Sequence, residues 1–158
     1  STLLAQGVDE DESSQLNRQL HAARMALHSA KTVKDVRHNF DEFEASENEF
    51  VLRANAEFRK RLIALYLRHT PLLVDQPHAE VASKLSKALK RLAKEDAQFV
   101  SDITKQTAAG DLKDLDITNL LMVNRAFIQS SRQVILAIKE MTLTDSELEM
   151  FDQLTDRS

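Results

Sequence analysis

The chain contains no cysteine and no tryptophan, and only two glycines and two prolines among its 158 residues. Without cysteine there is no disulfide, no thiolate catalysis and no Cys-ligated zinc or iron–sulfur cluster, which fits a reducing compartment. Sheets and their tight turns draw on glycine and proline, so the shortage of both argues for long helices and against strands. Long apolar runs are missing as well. The longest, residues 62–67, falls far short of the ~20 residues of a membrane span, and no stretch has the pattern of a secretory signal. There is no glycine-rich phosphate loop, no nucleophile elbow and no His-Glu-x-x-His motif. No Glu is followed three residues later by His, as a di-metal carboxylate bundle requires. Catalysis is therefore not expected.

What is present points to one all-α domain. A chain of this length buries roughly 70% of its unfolded surface, enough for a core without staples. The formal charge of −4 hides a block structure. Residues 1–50 hold 5 basic and 10 acidic side chains, residues 51–100 hold 10 and 5, and residues 101–158 hold 6 and 10. A basic middle between acidic neighbours suggests complementary edges of a helix bundle. The other reading is a basic surface facing anionic lipid headgroups or an acidic partner. An acidic chain whose aromatics lie in apolar seams is not expected to bind nucleic acid.

Periodicity predicts about four long antiparallel helices and a short C-terminal one. Residues 1–12, with the acidic run Asp9-Glu10-Asp11-Glu12, read as a flexible leader; residues 13–158 read as the bundle, with possible halves 13–70 and 77–155. The first helix is expected over residues 13–44, bending or changing partners near residue 31. Ser46-Glu47-Asn48-Glu49 is a capping-box pattern opening a second helix to His69. Pro71 and Pro77 bracket a break. A third helix is expected over residues 78–108, with Val81, Leu85, Ala88, Leu92, Phe99 and Ile103 inward and Gly110 as its stop. A fourth spans residues 117–141, and Thr144-Asp145-Ser146-Glu147 caps the last.

The first helix holds the feature that draws most notice. Leu16, Leu20, Ala23, Leu27 and Ala30 recur at spacings of four and three, as a seam facing a partner helix does. Its next members are Lys34 and His38, so two titratable residues stand where apolar ones belong. Asp35, His38 and Glu42 are spaced to approach one metal ion, but one helix rarely completes a site, and a solvated face opposite Val36, Phe40 and Phe43 is the favoured reading. His21, His28 and Asp35 share a face but step about 10 Å apart, too far for one ion. Glu95 and Asp96 border a seam position and are expected to pair with Arg or Lys on a facing helix. In the fourth helix Asn124 and Ser131 lie on the seam, where small polar residues fix register. Arg125 and Arg132 form a parallel row suited to a phosphorylated or acidic partner.

Two stretches, ALHSAKTVKDVRHNFDEF at 26–43 and LMVNRAFIQSSRQVILAIKEM at 121–141, resemble the PhoU-like helical domain at the C-terminal end of bacterial sodium/phosphate cotransporters. The chain opens Ser1-Thr2 with its first Met at Met25, and reads as a piece of something longer. The resemblance implies a cytosolic domain at the inner membrane that regulates, gates or scaffolds phosphate uptake. Its partner would be the membrane transporter portion of the same polypeptide, with signalling proteins or self-association as further contacts. PhoU proteins carry a Glu-x-x-x-Asp pair that holds metal clusters. Lys34 and His38 stand in those places here, and Asn124 and Ile128 do in the second stretch, so the resemblance carries over no metal ligand and no cofactor. The polar seam residues Lys34, His38, Asn124, Arg125, Ser131 and Arg132 become candidate partner contacts. The competing expectation is a sensory or protein-interaction bundle of a signalling protein.

Overall fold

The computed structural model describes the backbone of residues 2–74 and 78–156, and the side chains of residues 7, 9–74 and 79–156. Every regular element among them is helical: α1 (Thr2–Asp35), α2 (Arg37–Glu44), α3 (Glu49–His69), a 3-10 turn (Thr70–Leu73), α4 (His78–Ala108), α5 (Asp114–Thr142) and α6 (Asp145–Asp156). The all-α expectation holds. None of these helices is long and apolar enough to cross a membrane.

The boundaries follow local chemistry. Residues 2–12 extend α1 rather than preceding it. The first helix breaks at Val36 (φ −100°, ψ 7°), five residues beyond the expected bend. There the packing partner changes, since α1 lies along α5 and α2 against α3. The cap of α3 is Asn48, whose Oδ1 accepts from the backbone N–H of Phe50 (2.9 Å) and Val51 (3.3 Å), while Ser46 only braces Asn48. This satisfies two of the donors that a helix start leaves free. Pro71 falls in the 3-10 turn, and Pro77 lies outside the described residues. Past the end of α4, Gly110 takes φ +76°. Its N–H bonds to Thr107 O and that of Asp111 to Gln106 O, a Schellman closure that needs a left-handed residue. At α6 the Glu147 carboxylate accepts from the Thr144 N–H at 2.7 Å, half of a capping box.

α5 is the central element, contacting α1, α3 and α4, and α4 also supports α6. A helix buried on several sides is not a one-face amphipath, and α5 buries Leu120, Val123, Ala126, Phe127, Ser130, Ser131, Ile135, Ala137 and Ile138. Phe58 of α3 sits at the middle of the core, 5.1 Å from the Phe99 ring of α4 and 6.1 Å from the Phe127 ring of α5. All six expected inward residues of α4 are buried. The core is contiguous from Val36 to Phe151, so both halves of the chain contribute to it.

Candidate functional site

α1 and α5 run antiparallel, and α5 is tied to α1 at two levels and to α2 at a third. Arg18 donates to the backbone carbonyls of Glu140 (3.1 Å) and Leu143 and approaches the Glu140 carboxylate at 3.4 Å. Ser29 and Ser130 bond to each other, and beyond the break Asn119 Nδ2 donates to Glu42 Oε2 at 2.8 Å. The face of α1 turned to α5 carries Ala22 and Ser29, fully buried, with Arg18, Met25 and Val33 partly so.

This overturns the sequence seam. Leu16, Leu20 and Leu27 lie on the opposite side, 56%, 48% and 72% exposed, and Ala23, Ala30 and Lys34 are exposed with them. Lys34 and His38 therefore interrupt no packing face. The reason is size: small residues let α1 and α5 approach closely, while the large apolar residues that dominate the sequence pattern point outward. His38 Nε2 lies 3.0 Å from Glu42 Oε1 on the surface of α2. Asp35 ends α1 before the break, and among the described residues no three His, Asp or Glu side chains converge as a metal set would. Glu42 instead holds Asn119.

On α5, Asn124 and Ser131 are buried, whereas Arg125 and Arg132 are exposed. Asn124 Nδ2 donates to Asp96 Oδ1 of α4 at 2.6 Å. The acceptor expected to meet Arg or Lys thus meets an amide instead. Ser131 Oγ, fully buried, has no hydrogen-bond partner among the described residues.

Ser131 lines a cleft of about 270 Å³ between α3 and α4, floored by α5, which periodicity alone did not suggest. Leu65, Leu92, Phe127 and Ile135 make it apolar at depth, and Lys60, Arg61, Arg68 and Arg91 line it with positive charge. Glu57 lies 3.7 Å from Lys60 and 3.9 Å from Arg61. Arg68 and Arg91 have no carboxylate at ion-pair distance among the described residues. His69, also in the lining, is held below the ordinary imidazole value of 6.5, first by burial and further by Arg68 and Arg91. The bond between its Nδ1 and Leu65 O, 2.7 Å, opposes that shift. Such a cleft suits a ligand with an anionic head and an apolar body.

A second apolar patch faces outward on the C-terminal half of α3. Ile63 and Leu67 are 60% and 72% exposed, Tyr66 lies beside them, and Lys60 and Arg68 flank them. No family model, curated protein or solved structure matches the chain.

Proposed function

We propose that this chain is a regulatory module that acts through helix-face contacts rather than by chemistry of its own, in the form of a PhoU-like cytosolic domain of a sodium-dependent phosphate transporter. The observation that carries the reading is the outward patch Ile63–Tyr66–Leu67 with Lys60 and Arg68 at one margin. Apolar residues with cations at one margin suit a surface that rests against a membrane-embedded partner and its anionic leaflet. The occupant is then the membrane portion of the same polypeptide. The test is sodium-driven uptake of labelled phosphate by cells producing the full-length polypeptide, with and without Ile63→Asp and Leu67→Asp. Altered uptake with an unchanged helical circular-dichroism signal is expected. Uptake that ignores both substitutions overturns the contact, and a polypeptide without sodium-dependent uptake overturns the transporter assignment.

A second reading, a sensory bundle whose cleft takes an anionic ligand, is favoured by the unpartnered Ser131 hydroxyl in a cleft that Arg68 and Arg91 also line. Titration calorimetry with inorganic phosphate and with a medium-chain fatty acid tests it. Binding of either that is lost in Arg68→Ala/Arg91→Ala supports the reading; no heat from either probe overturns it.

A further inference from the structure

We infer that α1 pairs antiparallel with α1 of a second copy of this chain, about a two-fold axis between His21 and Ala22. The face of α1 turned away from α5 carries Asp9, Ser13, Leu16, Leu20, Ala23, Leu27, Ala30 and Lys34, all exposed and spaced alternately four and three. That spacing keeps one stripe along a helix over roughly 37 Å, the geometry of a two-helix seam. No other described element covers the stripe, because α1 packs along α5 on its opposite side.

Charge and size select the second copy and its direction. About this axis Leu16 meets the partner's Leu27 and Leu20 meets the partner's Ala23, so apolar residues oppose one another, Leu on Ala beside the axis and Leu on Leu in the next layer out. Ser13 meets the partner's Ala30. The polar ends then match: Asp9 faces the partner's Lys34 and, one row outward, Glu10 faces the partner's Lys31. Symmetry repeats each pairing. A parallel pair in register would set Lys34 on Lys34 and Asp9 on Asp9. Sliding the antiparallel pair by one heptad step puts Leu16 against Lys34 in one direction and Asp9 against Leu27 in the other. Only the register centred between His21 and Ala22 satisfies every layer. Lys34 thereby gains a role that the fold of one chain does not give it.

With three leucines per copy the interface is small, so the dimer dissociates on dilution. Sedimentation of the whole chain should show a mass rising with concentration from 17.9 kDa towards twice that value. Leu20→Asp with Leu27→Asp should hold it at monomer mass without loss of helicity, since both side chains are exposed. Lys34→Asp should weaken association about tenfold or more, and Asp9→Lys in the same chain should restore it. The absence of native cysteine makes direction readable by disulfide trapping. A mixture of Ser13→Cys and Ala30→Cys chains should cross-link, and Ser13→Cys alone should not, its two sites lying roughly 25 Å apart in this register. A chain that stays monomeric to about 1 mM, as it would if another protein covers the stripe, overturns the inference. So does a dimer that cross-links through Ser13→Cys alone or persists in the double Asp variant. None of these outcomes bears on the α3 patch, whose test is separate.

Discussion

Ser29 of α1 and Ser130 of α5 are joined by reciprocal hydrogen bonds. Their Oγ atoms are 2.6 Å apart, Ser29 Oγ reaches Ser130 O at 3.0 Å, and Ser130 Oγ reaches Ser29 O at 3.1 Å. Both residues are 1% exposed. A side chain bonded to the opposite backbone requires the two helices to lie close, so residues this small are a condition of the contact.

Hydrophobicity and stability should therefore run in opposite directions on α1. Ser29→Leu adds apolar area but inserts a large side chain between close helices and removes the bonds of the pair. It should cost about 3 kcal/mol. Leu27→Ala removes apolar area from an exposed site and should change stability by under about 0.5 kcal/mol. Urea denaturation at low protein concentration, where self-association does not contribute, measures both. A Ser29→Leu chain as stable as the parent would show that the helices are not closely packed there.

The same contrast explains what the sequence disclosed. α4 was legible because its inward residues are large and periodic, from Val81 through Leu85 and Leu92 to Ile103, and one face is buried. Asn124 and Ser131 were legible as polar interruptions of a strong apolar seam. α1 was not, because its buried residues Ala22 and Ser29 add little to any apolar pattern while Leu16, Leu20 and Leu27 dominate it. The Asn48 cap competed with Ser46 two residues earlier, and only backbone geometry decides between them. The cleft needs residues from three helices, and the spacing within any one helix does not record how the others lie against it.

Lys34 and His38 should be dispensable for folding. His38 pairs with its own helix neighbour Glu42, its side chain being 81% exposed, and Lys34 is exposed near the end of α1. An exposed ion pair of this kind contributes little. Lys34→Ala and His38→Ala should each leave urea stability within about 0.5 kcal/mol of the parent at dilute concentration. A larger loss would mean that the side chains carry packing not visible in their exposure.

Asn124 should resist change to its charged isostere. Asn124→Asp would set a buried carboxylate where the amide now donates to Asp96 at 2.6 Å. Two carboxylates at that distance cannot both ionise without strain, so one of them holds its proton into the neutral range. The variant should lose about 3 kcal/mol at pH 7. Part of the loss should return on acidification towards pH ~5, where a shared proton restores a hydrogen bond. Chemical denaturation at the two pH values checks this, and a loss independent of pH would show that the two side chains are not coupled.

His69 gives the fold a pH dependence whose sign follows from its surroundings. Burial lowers its folded value below 6.5, and the cations Arg68 and Arg91 lower it further against the opposing bond to Leu65 O. The unfolded chain therefore takes up a proton near pH 6.5 that the folded chain does not yet bind. The associated stability is complete above that pH and is lost as pH falls through the folded value. His69→Gln should remove this component, so the stability difference between parent and variant should shift against the parent between about pH 7.5 and pH 5. Titrating the His69 ring proton by NMR reads the same quantity directly, and a midpoint at or above 6.5 would contradict it. Inorganic phosphate bound beside Arg68 and Arg91 would place negative charge near the ring and raise the midpoint. A midpoint unmoved by phosphate, in a chain that calorimetry shows to bind it, would locate that binding away from this cleft.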